Sequence, residues 1–398
     1  MGDQLYKTYK KALSGFPMPL AYLDMDFLEI NINQILKRAG KKKIRIASKS
    51  IRCREILKYL LESNPELIEG LMCFTAQEAT WLSKNDFDNL LVAYPSYKKE
   101  AIFEICSEVK KGKKIYLMAD CLEHLKNYQR IAAEADAVLP LCLDIDMSLL
   151  IPGLNFGVFR SPLRNDSQVV ELVQFFEANP NIKLAGIMGY EAQLAGVVDK
   201  SPYQKLLNGF IRLLKWWSRR DFITRRQEIV QYCEQKLGKL EFVNGGGTGS
   251  MEITRQDSSV TEIAVGSGFY SPVLFDYYRD FQHQPAAGFA IEVVRKPRAH
   301  MVTCLGGGYV ASGGLSRDKI PQPYLPNGCA LTQNELAGEV QTPILYSGVE
   351  TLNLGDPVFM RHSKAGELCE RFNHLHLIKK GEHYMTVPTY RGEGQAFC

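Results

Sequence analysis

Lys43-Ile-Arg-Ile-Ala-Ser-Lys49-Ser-Ile-Arg-Cys-Arg-Glu-Ile-Leu57 is the stretch from which the fold can be read. Residues 44–47 have the character of a short buried strand. From Arg52 onward, Ile56, Leu57, Leu60 and Leu61 share one face of a helix. Lys49 therefore falls where a strand stops and a loop begins. In a parallel α/β protein that carboxyl-terminal edge carries the chemistry. A lysine approached from an apolar strand can lose hydration, and its amine then becomes a nucleophile. Many lysines at strand ends are simply solvated, so position alone assigns no role.

The same texture repeats along the chain. Apolar runs lie at 44–47, 71–74, 89–94, 115–119, 137–145, 183–188, 240–243 and 262–265. Most are separated by helical stretches long enough for crossover connections. Eight such units predict an α/β fold of the (β/α)8 TIM-barrel type, with an open doubly wound sheet as the alternative. The stretch 203–238, which contains Trp216-Trp217, reads as an enlarged helical return. After about residue 280 short β-like runs separated by Gly, Pro and Asn turns take over, as in Phe289-Ala-Ile-Glu-Val-Val-Arg and His374-Leu-His-Leu-Ile. They predict a second, mostly β domain. The early run Leu20–Asp24 precedes all eight barrel strands and is free to join it. The expected division is 26–280 for the barrel and 1–25 plus 281–398 for the β-rich domain.

Composition narrows the function classes. A chain of 398 residues, 45% apolar and 23% charged, has ample material for a buried core. A net charge of +4 is too small to argue for nucleic acid. Lys41-Lys42-Lys43, Arg219-Arg220 and Arg225-Arg226 read as solvated helix ends and faces. No run approaches ~18 uninterrupted apolar residues, so no membrane role is expected. Ten scattered cysteines without C-x-x-C spacing, and no apolar leader, predict free thiols in the cytoplasm.

Phe242-Val-Asn-Gly-Gly-Gly-Thr-Gly-Ser250 follows the seventh predicted strand. Gly246, Gly247 and the Thr248 hydroxyl suit a phosphate cradled by amides, and barrels commonly hold phosphate after strands seven and eight. A tight turn needing positive φ is the plainer reading. Val265-Gly-Ser-Gly-Phe-Tyr270 follows the eighth strand, where Gly266, Ser267 and Gly268 can serve the same phosphate. A reactive lysine opposite a phosphate loop suggests pyridoxal 5'-phosphate held covalently on Lys49. Arg160, after the fifth strand, is a candidate partner of the ring nitrogen. Tyr190, after the sixth, is a candidate to flank the ring or exchange a proton.

These pieces resemble the fold-type III pyridoxal-phosphate enzymes, the alanine-racemase-like class, and within it the D-threonine aldolase and D-serine dehydratase branch. The resemblance is carried by Leu20–Asp24 with Asn31, Ser48-Lys49-Ser50, Leu143-Asp-Ile-Asp with Arg160, Gly189-Tyr-Glu, Gly245-Gly-Gly-Thr-Gly249 and the segment 266–276. It implies Lys49 and Tyr190 as catalytic residues. It also implies Lys49, Arg160, Tyr190, Gly246, Gly247, Thr248, Gly266, Ser267 and Gly268 as cofactor contacts. A homodimer acting on a small amino-acid substrate is implied as well.

Metal-dependent members of the branch carry Glu-His-Gly and a later His/Cys or His/Asp pair. Here the first position reads Gly338-Glu-Val340, and Arg361-His-Ser-Lys-Ala-Gly-Glu-Leu-Cys369 stands where the pair would be. No divalent metal is therefore assigned. His374 and His376, two apart on a strand, read as a structural or surface pair, and His362, Lys364, Glu367 and Cys369 as alternative polar contributors near the site. The expected activity is an aldolase- or dehydratase-like lyase on D-amino acids. A racemase and a sugar-phosphate barrel enzyme without pyridoxal phosphate are the alternatives.

Overall fold

The computed structural model describes residues 2–314 and 316–397. Eight parallel strands close into a barrel in chain order: Lys43–Ala47, Ile68–Cys73, Leu90–Val92, Ile115–Ala119, Leu139–Asp144, Ile182–Gly189, Phe242–Gly245 and Glu262–Val265. Closure is made by the last strand on the first, with Glu262 opposite Lys43 and Val265 opposite Ile46. The open doubly wound alternative is thereby excluded. Each apolar run read from the sequence overlaps one barrel strand, because strands buried on both faces cannot alternate with polar residues.

The barrel is filled, not hollow. Leu91, Tyr116, Met118, Cys142, Ala185, Met188 and Phe242 form one buried cluster. Near the amino-terminal ends, Arg45 makes a two-pronged ion pair with Glu262 at 2.6 and 2.9 Å. Asn244 donates to the same carboxylate at 2.8 Å. Burying this pair without those matched donors would cost several kcal/mol.

Leu20–Asp24 does leave the barrel. It lies between Ala287–Arg298, antiparallel, and His374–Lys379, parallel, in a nine-stranded sheet of the β-rich part. Asp24 ends that strand and caps the helix Met25–Ala39 by accepting from the Phe27 amide at 2.9 Å, while Tyr9 donates to its other oxygen at 2.6 Å. Further along the helix, Asn31 donates to the Phe269 and Gln284 carbonyls at 2.9 and 2.8 Å, tying it to the segment after the eighth strand.

One expectation is corrected. Arg225 and Arg226 are not a solvated face of the long helix Leu207–Leu237; both are buried, Arg226 completely. Arg226 pairs with Glu191 and, at 3.1 Å, with Asp257, both also fully buried. Arginine is the one basic side chain whose fork can serve two carboxylates without giving up its charge. The arginine-rich composition of the helix hid this inward-facing member.

Candidate active site

Segments at or after the carboxyl-terminal ends of seven of the eight strands, all but the fourth, converge on one cavity. It is lined by Lys49, Ser50, Phe74, Tyr94, Arg160, Tyr190, Gly246, Gly247, Thr248, Gly266 and Ser267, among others. Eight of the nine site residues read from the sequence therefore meet. The ninth, Gly268, stands one step behind, donating its amide to Thr248 Oγ1 at 3.1 Å.

Lys49 sits on a single 3₁₀ turn, Ser48–Ser50. The turn is pinned on both sides. Ser48 donates to the Met72 carbonyl at 2.9 Å, and the Ser50 and Ser267 hydroxyls are 3.1 Å apart. The lysine side chain is exposed at the cavity mouth, with its Nζ 3.2 Å from the Tyr94 hydroxyl. Above it, Gly366 packs on the Lys49 carbonyl, where a Cβ would lie 2.5 Å away on a backbone at φ +100°. Gly366 thus brings the segment holding Lys364 and Glu367 over the lysine. Burial lowers the Lys364 pKa, and Lys49 adds to that.

Arg160 crosses the cavity floor. Its Nε donates to Asp144 at 2.5 Å and its Nη2 to the Ala93 carbonyl at 2.9 Å. Nη1 has no partner among the described residues. Burial raises the Asp144 pKa to about 6 despite the Arg160 charge, and its Oδ1 is unpartnered among the described residues. The guanidinium carbon lies 5.2 Å from the centre of the Tyr94 ring and 5.8 Å from that of Tyr190. Burial pushes the Tyr190 hydroxyl up to about 12, although Arg160 opposes it.

The glycine run is braced by side chains the sequence reading missed. The Gly246 amide, at φ +72°, donates to Glu191 at 2.5 Å, and the Gly247 amide donates to Ser250 Oγ at 3.1 Å. Those two amides shape the turn, so the expectation of unshielded N–H groups fails at them. It holds next door, where the Thr248 and Gly249 amides have no partner among the described residues. A Cβ on Gly247 would come within 2.9 Å of Ala195 and 3.4 Å of the Tyr190 ring. From behind, Arg38 donates to the Thr248 carbonyl at 2.6 Å and lies 3.1 Å from His283 Nε2. This cradle, with its open amides and hydroxyl, suits an anionic group. The facing amine and guanidinium suit an aldehyde and a ring nitrogen.

Tyr94 is the main omission of the sequence reading. It follows the third strand by two residues, so the strand-end rule that singled out Lys49 applied to it as well. His374 and His376 lie on a hairpin of the β-rich part and do not line the cavity. His376 Nδ1 is 2.9 Å from Thr386 Oγ1. Cys369 is buried, and His362 is buried with neither ring nitrogen hydrogen-bonded to a side chain. Among the described residues, the one group of three side chains close enough to share a metal is Asp120, Cys121 and His124, after the fourth strand.

The fold is similar over nearly its whole length to D-threonine aldolase from Filomicrobium marinum. The TM-score is 0.76 with 15% identity, covering 94% of this chain and 95% of that one. Against D-threo-3-hydroxyaspartate dehydratase from Delftia sp. HT23 the TM-score is 0.73, with 13% identity and coverages of 95% and 99%. In sequence, 3-hydroxy-D-aspartate aldolase of Paracoccus denitrificans (strain Pd 1222) is 23% identical over 266 residues. That match covers 67% of this chain and 63% of the relative. The model of the alanine racemase N-terminal domain matches residues 23–270, which run from the sheet strand through the barrel to the second glycine segment. The chain belongs to the alanine racemase N-terminal domain family, within the fold-type III class of pyridoxal-phosphate enzymes.

Proposed function

We propose that this protein is a pyridoxal-phosphate-dependent lyase acting on D-amino acids that carry a β-hydroxyl. The observation that carries the reading is the meeting, in one cavity, of the Lys49 amine, the Arg160 guanidinium and the Gly246–Thr248 cradle. The three relatives, an aldolase for D-threonine and an aldolase and a dehydratase for 3-hydroxyaspartates, support the substrate class. Bound here, pyridoxal phosphate supplies an electron sink for the charge left when a bond to the α-carbon breaks. In this reading the barrel, 26–280, holds the cofactor, and 1–25 with 281–398 forms the β-rich unit.

Lys49 would hold the cofactor covalently. The Thr248 and Ser267 hydroxyls and the Thr248 and Gly249 amides, which have no partner among the described residues, would hold its phosphate. Arg160, committed to Asp144, would present a guanidinium N–H to the ring nitrogen and keep it unprotonated. Tyr190, whose proton is retained far above neutral pH, would flank the ring as a donor. Retro-aldol cleavage further requires a base for the β-hydroxyl, and dehydration an acid to release hydroxide.

A homodimer in the cytoplasm completes the reading. Support for the dimer comes from Phe159, 95% exposed next to Arg160 in sequence, with Leu150, Leu154 and Val158 also exposed nearby. For the compartment, the nine cysteines among the described residues are all unpaired, and no helix among those residues is long and apolar enough to cross a membrane.

The test is an absorbance spectrum of the purified protein with pyridoxal phosphate, before and after borohydride, followed by D-threonine, D-serine and D-alanine in turn. The expected result is a visible band abolished by borohydride. D-Threonine would give glycine and acetaldehyde if the enzyme is an aldolase, and ammonia and 2-oxobutanoate if it is a dehydratase. Conversion of D-alanine to L-alanine without either product set would make it a racemase. No band at all would refute the cofactor assignment.

A further inference from the structure

We propose that Tyr94 is a catalytic residue, the base that takes the proton from Lys49 so that its amine can bond to an aldehyde. The proposal rests on the pyridoxal-phosphate reading and extends it to a residue outside the sequence-derived set.

The geometry is direct. Tyr94 Oη lies 3.2 Å from Lys49 Nζ, within hydrogen-bonding reach, and is that nitrogen's partner among the described residues. The tyrosine lines the same cavity from the loop after the third strand. Two cations bear on its ring, Arg160 at 5.2 Å and Lys49 at 5.7 Å from the centroid. The charged and titratable groups around it are Lys49 on its turn, Arg160 and Asp144 on the floor, Tyr190 opposite, and Lys364 on the segment above. Burial resists ionisation of the phenol, and Asp144 adds to that. Lys49 and then Arg160 outweigh both and lower the Tyr94 pKa below that of an ordinary tyrosine. Tyr190, on the other side of the same guanidinium, is driven the opposite way. Two like groups whose affinities for a proton are pushed apart take different roles, one as acceptor and one as donor.

The chemistry needs such an acceptor. An ammonium has no lone pair to attack a carbonyl. The Lys49 proton passes from Nζ to the Tyr94 phenolate, giving a neutral amine and a neutral phenol. The amine forms the bond to the aldehyde carbon. The aldehyde oxygen gains two protons, both leaving nitrogen in the course of the condensation, and departs as one water. No oxidant or further reactant enters.

The experiment has two parts, both on protein stripped of cofactor. First, tyrosinate absorbance is followed against pH for the parent, Tyr94→Phe and Lys49→Met. One of the 19 tyrosines should ionise below the rest in the parent. That phase should vanish in Tyr94→Phe and move to higher pH in Lys49→Met. Second, the rate of pyridoxal-phosphate attachment trapped by borohydride is measured across pH. Tyr94→Phe should slow it about 100-fold near neutrality, and the deficit should close as alkali deprotonates the amine, with the same final stoichiometry. A parent without the early phase, or a Tyr94→Phe variant that attaches the cofactor at the parental rate at every pH, overturns the assignment. A parent that never attaches pyridoxal phosphate refutes the cofactor reading instead, and the titration alone then decides the Tyr94–Lys49 pair.

Discussion

Glu78 is a carboxylic acid locked inside the molecule one layer behind Lys49, and replacing it with glutamine should remove a large part of the pH dependence of stability. Its side chain is fully buried, with the Phe74 amide donating to one oxygen at 2.7 Å and the Tyr390 hydroxyl to the other at 3.1 Å. Burial raises its pKa to about 7, although Ser48, Phe74, Tyr390 and Arg52 favour the charged form. The unfolded chain releases this proton near 4.5, so between 4.5 and about 7 the native state holds a proton that the unfolded state has lost. The contribution is therefore complete below the unfolded value and is lost as pH rises through the folded one. The two pKa values set its full size at roughly 3 kcal/mol, of which about 2.5 falls between pH 5 and 8. Buried His283 and His362, held down to about 4 and 3 by burial first and a neighbouring arginine second, act in the opposite direction as the unfolded chain titrates. The informative quantity is consequently the difference between parent and Glu78→Gln, in which the histidines cancel. Glutamine keeps one oxygen to accept from the Phe74 amide, and its NH2 group donates to the Tyr390 hydroxyl, which can rotate to accept. Urea unfolding of the cofactor-free proteins should show the variant gaining on the parent by about 2.5 kcal/mol from pH 5 to pH 8. A difference that stays constant within ~0.5 kcal/mol would show that Glu78 is already ionised in the native state, and would refute the reasoning.

Lys49→Ala should leave no borohydride-stable mass increment after incubation with pyridoxal phosphate, and an increment retained in that variant removes Lys49 from the site. Arg160→Glu should protonate the ring nitrogen and strengthen the electron sink, moving the visible spectrum and the ratio of aldol to dehydration products more than cofactor affinity; an unchanged spectrum places Arg160 away from the ring. Arg226→Met should cost roughly 3–5 kcal/mol in chemical denaturation, because Glu191 and Asp257 would remain buried and unpaired. A loss below ~1 kcal/mol would mean that water reaches those carboxylates.

The barrel was legible because its signal is redundant. Ile115–Ala119 and Leu139–Asp144 are buried at every position, and eight such runs, most separated by helices, fit a closed barrel more comfortably than an open sheet. Lys49, Arg160 and the glycine runs were legible because each follows a strand, and closure brings strand ends together. The strands Gln322–Leu325, Cys329–Leu331 and Gln341–Tyr346 were not, being short, half-buried and partly built on prolines. Nor was the hairpin Leu149–Ile151/Leu154–Phe156, whose strands are only three residues long and whose apolar side chains are buried only at Leu149. Glu78, Glu191 and Tyr94 escaped for a shared reason. The partners that distinguish them, Tyr390 for Glu78, Arg226 and Gly246 for Glu191 and Lys49 for Tyr94, lie 35 to 312 residues away, a distance over which periodicity carries no information. The ion pair of Arg226 escaped because a buried arginine in a basic helix looks like its solvated neighbours.

That buried arginine constrains how this chain can change. Glu191 follows the sixth strand and holds the Gly246 amide, Asp257 lies between the seventh and eighth strands, and Arg226 joins them from the helix in between. Substituting Arg226 alone leaves two carboxylates stranded in a dry interior, whereas loss of either carboxylate leaves a one-to-one ion pair, at Glu191 with the further loss of the acceptor for the Gly246 amide. A single step that removes the arginine first therefore passes through a strongly destabilised protein. A homologue that lacks Arg226 should therefore lack both carboxylates as well.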